Sequence, residues 1–116
     1  MLAERRAILE LGAGAALHGG DYTKAACRAV QDAIYHSSLT FIRSLGLDSK
    51  KMKVAVTIGV QKPEAVDLAA VKAVLPHGDV TVNVRHGGLD VPDPDNEDIC
   101  VIASAAIDVS YDFDNA

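Results

Sequence analysis

The sequence is poor in aromatic residues. Phe, Tyr and Trp together make up 4% of the 116 residues, and Trp is absent. Proteins that bind single-stranded nucleic acid need aromatic faces for base stacking and a basic groove that follows the phosphates. The formal net charge of this chain is −5, so it also lacks the excess of basic residues that such a groove needs. Both shortages argue against a partner made of nucleic acid.

Cysteines and long apolar runs are also scarce. Two cysteines, Cys27 and Cys100, are too few for the disulfide framework of a small secreted protein. The longest uncharged apolar run extends from Ile99 to Ile107, which is far shorter than the ~20 residues of a membrane-spanning helix. We therefore expect a cytoplasmic protein with no membrane partner, folded as a single domain over residues 1–116.

Positive charge is missing from the C-terminal quarter of the chain. All 11 Lys and Arg residues lie within residues 1–89, together with 8 of the 16 acidic residues. The other 8 acidic residues (16 minus 8) lie within residues 90–116. The N-terminal part is therefore locally basic within an acidic protein, and it is the place to look for an anion site.

The hydrophobic pattern predicts the element order β-α-β-α-β-β. Strands are predicted over 5–11, 52–60, 79–86 and 99–111, and helices over 22–45 and 64–74. A glycine-rich turn over 12–21 and an acidic loop over 89–98 connect these elements. Both β-α-β crossovers should be right-handed, which places the two helices on one face of a four-stranded mixed sheet. The predicted fold class is therefore α+β.

The opposite face of the predicted sheet carries small and polar residues. Thr57, Gly59, Thr81, Asn83 and Arg85 point to this face, which lacks the Lys and Glu of an ordinary solvated surface. A face of this kind needs a cover, and a second copy of the chain is the simplest one. We expect a symmetric homo-oligomer with sites between its subunits. The alternative is a monomer whose weakly polar face is solvated.

The glycine-rich turn is the candidate anion site. Free amides in such a turn, next to the positive end of a helix dipole, favour an anion, and a lysine in the first helical turn adds a full charge. The dinucleotide-binding and phosphate-loop patterns are both incomplete here. The predicted ligand-binding residues are Gly12, Gly14, Gly19, Asp21, Thr23, Lys24, Arg28, Arg85 and His86. The alternative is a plain turn in which Asp21 caps the helix.

The first helix carries a charged stripe at i, i+4 spacing, formed by Lys24, Arg28, Asp32 and His36. On one interpretation the stripe is a solvated face with weak ion pairs. On the other it forms the rim of the pocket, where Lys24 and Arg28 bind an anion and Asp32 orients Arg28.

Two histidines stand in similar surroundings. His18 and His86 each precede Gly-Gly, and an aspartate follows each pair, at Asp21 and Asp90. Their convergence would give nitrogen and oxygen ligands for a metal, but the spacing matches no known metal signature, so no metal or other cofactor is predicted. A histidine that carries a proton is the alternative. The candidate catalytic residues are His18, Glu10 and Asp32, with Asp21 as a further carboxylate.

The N-terminal motif has a known counterpart. Glu10, Gly12, Gly14, His18, Gly19, Asp21, Thr23, Lys24 and Arg28 stand in an order and at spacings that resemble an uncharacterised bacterial and plant family named after a hypothetical Listeria protein. The likeness is specific over residues 10–38. The family's Gly-x-Gly-x-Asp-x-His-Gly hallmark has its aspartate at the position of Ala16 here. The family has no assigned activity, so the resemblance implies a site without implying a reaction.

The element order also resembles Bacillus-type chorismate mutases and YjgF-like proteins, which are typically trimers with small-molecule sites between subunits. This likeness concerns architecture only. It implies a homotrimer that binds a small anionic metabolite, with Arg28, Arg85 and Glu10 as candidates for interface roles. Two alternatives stay open. One is an enzyme, a hydrolase, lyase or isomerase that uses His18, and the other is a structural or regulatory module without a ligand.

Overall fold

The fold is a mixed β-sheet with two α-helices on one of its faces. The computed structural model describes residues 4–35, 52–75 and 78–112. In chain order its elements are β1 (Glu4–Ala16), α1 (Tyr22–Tyr35), β2 (Lys53–Val60), α2 (Leu68–Lys72), β3 (Asp79–His86), β4 (Leu89–Asp93) and β5 (Asp98–Asp112). The predicted α+β class is confirmed, and none of the helices in the described ranges is long and apolar enough to cross a membrane.

The sheet is organised around its longest strand. The strand order is β1-β5-β2-β3, and β4 pairs with β5 outside this series. β5 is antiparallel to β1, β2 and β4, whereas β2 and β3 are parallel. With 15 residues, β5 is long enough to pair with β2 along its C-terminal half and with β4 at its N-terminal end.

The core lies between the sheet and α1, and it is built from small and β-branched side chains. Alternate residues of β2 are buried, from Val54 to Val60, because successive side chains of a strand point to opposite faces. α1 contributes a buried stripe of Ala25, Ala26, Ala29 and Ala33. Side chains this short allow the helix to lie close to the strands beneath it, so few large aromatic residues are needed to fill the core.

Two glycines of β1 allow this close approach. A Cβ atom added at Gly12 would lie 2.4 Å from the backbone nitrogen of Ala33, and one at Gly14 would lie 2.3 Å from that of Ala29. The predicted glycine-rich turn over 12–21 is therefore wrong in its first part, because β1 continues to Ala16. Gly12 and Gly14 are strand residues beneath a helix, and their amides do not form an anion-binding turn.

The sequence pattern predicted a loop over the acidic segment 89–98, and this prediction is also wrong. The segment contains β4 and a 3-10 turn at Pro94–Asn96, so the sheet has five strands within the described residues and not four. β4 pairs with β5 from Leu89 to Asp93. Its proline was evidence against a strand, but proline is tolerated at a sheet edge, where its missing N–H breaks no ladder bond.

The helices differ from the prediction at their ends. α1 begins at Tyr22 as predicted, and the expected continuation over 36–45, with His36, lies outside the described residues. The predicted helix over 64–74 is a 3-10 turn at Pro63–Ala65 followed by α2. The backbone is extended at Val66, and the Asp67 side chain accepts hydrogen bonds from the first amides of α2, which makes this a new helix start.

Candidate functional site

The turn between β1 and α1 is held by Asp98, the first residue of β5. His18 Nδ1 lies 2.8 Å from Asp98 Oδ2, and the amide of Gly19 donates to Oδ1 at 2.7 Å. The Asp98 carboxylate also accepts from the amide of Ile99 at 2.7 Å. These bonds, led by the one from Gly19, lower the pKa of Asp98 to about 2. At the predicted anion-binding turn, His18 and the amide of Gly19 are therefore engaged by the chain's own Asp98.

This contact also fixes which ring nitrogen of His18 carries the hydrogen. An ionised carboxylate can only accept, so Nδ1 of His18 carries the hydrogen and Nε2 is the nitrogen left to contact a ligand. The His18 side chain is 84% exposed. Its carboxylate partner is Asp98, and not the predicted Glu10, Asp21 or Asp32. No pattern in the sequence could have indicated this partner, because the two residues are 80 positions apart.

The Asp98→Asn variant should change the acid sensitivity of the fold. The pKa of Asp98 is lower in the folded chain than the ~3.9 of a free aspartate, so its stabilising contribution is present above about pH 5. That contribution is lost as the pH falls through the folded pKa of about 2. We expect the urea midpoints of Asp98→Asn and the parent protein to differ most above pH 5 and to converge at acidic pH.

Asp95→Asn is the matched control, since it removes the same charge from an exposed side chain three positions before Asp98. Its midpoint should run parallel to that of the parent protein across the whole range. A parallel curve for Asp98→Asn would contradict the assignment of Asp98 as the anchor of the turn.

A second carboxylate contact ties β4 to the start of α1. The buried Tyr22 hydroxyl donates to Asp90 Oδ2 at 2.5 Å. This hydrogen bond, aided by burial, raises the pKa of Tyr22 to about 12. Asp90 Oδ1 is buried and has no hydrogen-bond partner among the described residues. Asp90 therefore pairs with Tyr22, and the described residues do not show His18, Asp21, His86 and Asp90 converging on a metal site.

The remaining polar residues near the turn are used within the fold. Asp21 Oδ1 accepts from the amide of Lys24 at 3.0 Å, which confirms its role as a helix cap. Thr23 Oγ1 accepts from the amide of Asp67 at 2.9 Å and thereby links α1 to α2. Lys24 itself is exposed. Among the described residues, no group of three or more His, Cys, Asp or Glu side chains is placed to hold a metal ion.

Two residues of the charged stripe on α1 form hydrogen bonds with the edge of the sheet. Arg28 Nη1 donates to the carbonyl oxygen of Ala15 at 2.7 Å, and Asp32 Oδ2 accepts from the amide of Ala13 at 2.9 Å. These backbone groups belong to β1, which lies at one end of the strand order. An edge strand leaves such groups unpaired unless side chains cover them. Arg28 and Asp32 therefore protect the edge of β1, because each of them bonds to a backbone group of this strand.

A hollow of about 380 Å³ lies on the face of the sheet that the helices leave open. Its floor is formed by Thr57, Gly59, Ser104 and Ala106, and Leu11 stands at its side. The other lining residues are Gly12, Ile58, Arg85, His86, Gly87 and Ala105. Four strands therefore contribute to it, namely β1, β5, β2 and β3.

The turn between β3 and β4 forms one wall of this hollow. The amide of Gly87 donates to the carbonyl oxygen of Val60 at 2.9 Å, and Gln61 Nε2 donates to the carbonyl oxygen of Gly87 at 3.0 Å. A Cβ atom at Gly59 would lie 3.3 Å from Gly87 Cα, so the glycine at this position lets the turn fold down onto the sheet. The wall is therefore part of the fixed structure.

Arg85 is the cationic residue of the hollow. Its exposed guanidinium group has no hydrogen bond or ion pair within the described ranges, whereas Arg6 pairs with Asp108 at 2.8 Å and Arg28 bonds to β1. The structure thus divides the predicted ligand site into two parts. Arg85 and His86 line the hollow on the open face, while Lys24 and Arg28 belong to the helix on the opposite face.

Exposed apolar side chains surround the hollow. Leu9 and Leu11 on β1 are 47% and 67% exposed, and Leu89 and Val91 on β4 are 55% and 44% exposed. The strand pairing places Leu11 beside Ala106 and Leu89 beside Ile102, on the same face as the hollow. Alternation along β1 could have revealed Leu9 and Leu11, but the prediction of a loop concealed Leu89 and Val91.

The fold and its open face define a small α+β protein whose mixed sheet is covered by helices on one side. The chain belongs to the Lin0512 family of conserved hypothetical proteins, whose model matches residues 6–109. The resemblance drawn from the N-terminal motif is thereby confirmed. A similar solved structure is the crystal structure of an FtsZ-like protein of unknown function from Nostoc punctiforme. The two sequences are 37% identical, and the matched region covers 96% of this chain and 98% of the Nostoc protein. The TM-score of the two structures is 0.81. A comparison with curated proteins gives no match.

Proposed function

We propose that the protein binds a small anionic metabolite in the hollow on the open face of its sheet. The observation that carries this proposal is Arg85, whose guanidinium group has no partner among the described residues and lies beside a hollow with largely apolar walls. A cation in that position attracts an anionic group and orients it, while the walls bury the rest of the ligand. Of the predicted ligand-binding residues, the proposed site therefore includes Arg85 and His86 and leaves out Lys24 and Arg28.

The size and lining of the hollow support the same function. Its volume of about 380 Å³ is near the lower end of the ~300–1,000 Å³ of small-molecule sites. Thr57 and Ser104 present hydroxyl groups that donate or accept hydrogen bonds, and Leu11 and Ala106 present apolar surface. This combination suits a metabolite of modest size with one charged end.

Ligand binding should depend on Arg85 and be independent of Lys24. We expect at least one compound from a library of anionic metabolites to raise the melting temperature of the parent protein and of Lys24→Gln, but not of Arg85→Gln. Binding to the folded state stabilises it by RT ln(1 + [L]/Kd), which is about 2.7 kcal/mol at a ligand concentration of 100 Kd. Lys24→Gln is the matched control, because it removes a positive charge from an exposed side chain on the helical face. Stabilisation that disappears in Lys24→Gln and persists in Arg85→Gln would return the site to the turn.

A second copy of the chain is the proposed cover of the open face. The exposed side chains of Leu9, Leu11, Leu89 and Val91 form an apolar border beside the hollow, and contact between copies would remove them from water. The architectural likeness to chorismate mutases favours a homotrimer with the ligand between subunits. The expected setting of this assembly is the cytoplasm.

A charge on the open face should prevent this association. We expect the parent protein to have three times the monomer mass by light scattering, and Leu11→Asp to be monomeric with an unchanged circular dichroism spectrum. Leu17→Asp is the control, because Leu17 is 64% exposed and lies beyond the end of β1. A parent protein that stays monomeric at tens of micromolar would refute the proposed oligomer.

The second candidate function is an enzyme in which His18 moves a proton. The contact between His18 and Asp98 supports it, because a carboxylate that fixes Nδ1–H leaves Nε2 as a base. A compound that binds the parent protein should then be converted, and His18→Gln should bind it without converting it. Conversion that continues in His18→Gln would exclude His18 as the base. Failure of every compound to bind would favour the structural or regulatory module.

A further inference from the structure

We propose that the ligand of the hollow is a monocarboxylate with an apolar body, in preference to a phosphate ester or a polyanion. This inference rests on the proposed function and names the chemical class that the same site would take. Four features of the described residues carry it: the number of cations, the planar shape of the Arg85 guanidinium group, the chemistry of the walls and the rigidity of the wall formed by Gly87.

The charge of the hollow fits one anionic group. Among the described residues, Arg85 is the one Lys or Arg that lines it, and Lys24 and Arg28 of α1 lie on the other face of the sheet. Asp108 shares the open face and follows Ala106 by two positions along β5, so a second negative group on the ligand would meet a carboxylate nearby. One of its oxygens pairs with Arg6 at 2.8 Å, and the other, Oδ1, is buried without a partner among the described residues.

The shape of the guanidinium group favours a carboxylate. Its planar fork donates two parallel hydrogen bonds, which match the two oxygens of a carboxylate. Phosphate groups are usually held by several donors together, such as the amides of a glycine loop with a lysine. Here the glycine-rich turn before α1 already donates the amide of Gly19 to Asp98, so it is not available for that purpose.

The walls of the hollow fit an apolar body. Ala106 forms part of the floor, Leu11 stands at the side, and Gly59 adds no side chain. Each apolar group of the ligand that leaves water on contact with them contributes to affinity. A sugar phosphate or a nucleotide carries more hydroxyl groups than Thr57 and Ser104 can pair with, so the others would meet apolar walls without hydrogen-bond partners.

The wall beside Arg85 is held in place before any ligand arrives. Gln61 Nε2 bonds to the carbonyl oxygens of Gly87 and Gly88 at 3.0 and 3.3 Å, and Gly88 has a φ of 63° that suits glycine. A site fixed in this way loses little conformational freedom on binding. Its shape should therefore discriminate between ligands that differ only in their charged group.

Four probes separate the contribution of the ligand's charged group to affinity from that of its apolar part: benzoate, phenyl phosphate, benzyl alcohol and acetate. We would titrate each into 15N-labelled full-length protein and follow the backbone amide signals. Benzoate should shift the signals of Gly59, Ser104 and Gly87, with a Kd at least tenfold lower than that of each other probe. Arg85→Gln should remove the tenfold preference of benzoate over benzyl alcohol, and Lys24→Gln should retain it.

Each outcome bears on a different claim. If phenyl phosphate binds most tightly at these signals, the ligand class is wrong and the proposed site stands. If none of the probes shifts the signals of the hollow while another anion stabilises the protein through Arg85, the class alone fails. If no probe and no anionic metabolite acts through Arg85, both the class and the proposed function are refuted. A tenfold preference for benzoate that persists in Arg85→Gln would also overturn the inference.

Discussion

Gly14→Val is expected to destabilise the protein by about 4 kcal/mol or more, which is among the largest effects of a single substitution. A Cβ atom at this position would lie 2.3 Å from the backbone nitrogen of Ala29 and 2.6 Å from the carbonyl oxygen of Ala25. These atoms belong to the backbone of α1 and cannot move aside like the end of a flexible side chain. The whole helix would have to lift from β1, and its buried alanine stripe would lose contact with the sheet.

Ala13→Val is the matched control for this substitution. Ala13 precedes Gly14 in β1, but its side chain is exposed, so two extra methyl groups meet no helix there. We expect its free energy of unfolding to stay within about 0.5 kcal/mol of the parent value. Urea unfolding followed by circular dichroism measures both variants. Equal stabilities of Gly14→Val and Ala13→Val would disprove the packing of α1 onto the bare backbone of β1.

Tyr22→Phe is expected to lower the free energy of unfolding by about 1.5 kcal/mol, the low end for a hydrogen bond to a charged group. The Tyr22 hydroxyl donates to Asp90 Oδ2, and Asp90 Oδ1 is already buried without a partner among the described residues. Without the hydroxyl, neither oxygen of the Asp90 carboxylate would have a hydrogen-bond partner among the described residues. Tyr35→Phe, at a side chain that is 88% exposed, removes the same group and should change stability very little.

The pH dependence gives a second measurement of the same contact. The pKa of Tyr22 is raised to about 12, above the ~10 of a free tyrosine. The stabilisation linked to the protonated hydroxyl is therefore fully present below pH 10 and lost as the pH rises through 12. The difference between the parent protein and Tyr22→Phe should shrink above pH 10. A Tyr22→Phe variant as stable as Tyr35→Phe at neutral pH would contradict the contact.

Alternation of side chains predicted the central strands well. β2 and β3 match the predicted ranges to within one residue, because Val, Ile and Thr alternate in them with no glycine cluster or proline inside. β1 was predicted too short, ending before Gly12, since glycine is more typical of turns than of strands. Glycine is favoured in a strand that lies directly beneath a helix, because a side chain there would meet the helix backbone. No local pattern in the sequence shows that a helix will cover the strand.

The candidate site was predictable only in part. The small and polar character of the open face could be derived from β2 and β3, and it placed Arg85 on that face. The partners of the charged residues could not be derived, because His18 and Asp98 are 80 positions apart and Tyr22 and Asp90 are 68 apart. Spacing along the chain indicates neighbours within one helix or strand, whereas these contacts depend on how the strands pair.

Local patterns in the sequence were enough to predict the α+β class and the central strands, and the N-terminal motif was enough to predict the family. The class and the strands follow from the periodicity of each element, which is local in the chain, as is the motif that indicated the family. The roles of the glycines and of the charged residues follow from the tertiary structure. It placed Gly12 and Gly14 beneath α1, let Asp98 occupy the expected anion site, and used Arg28 to protect the edge of β1. Arg85 kept no partner among the described residues, because the face on which it lies is the one that the helices leave open.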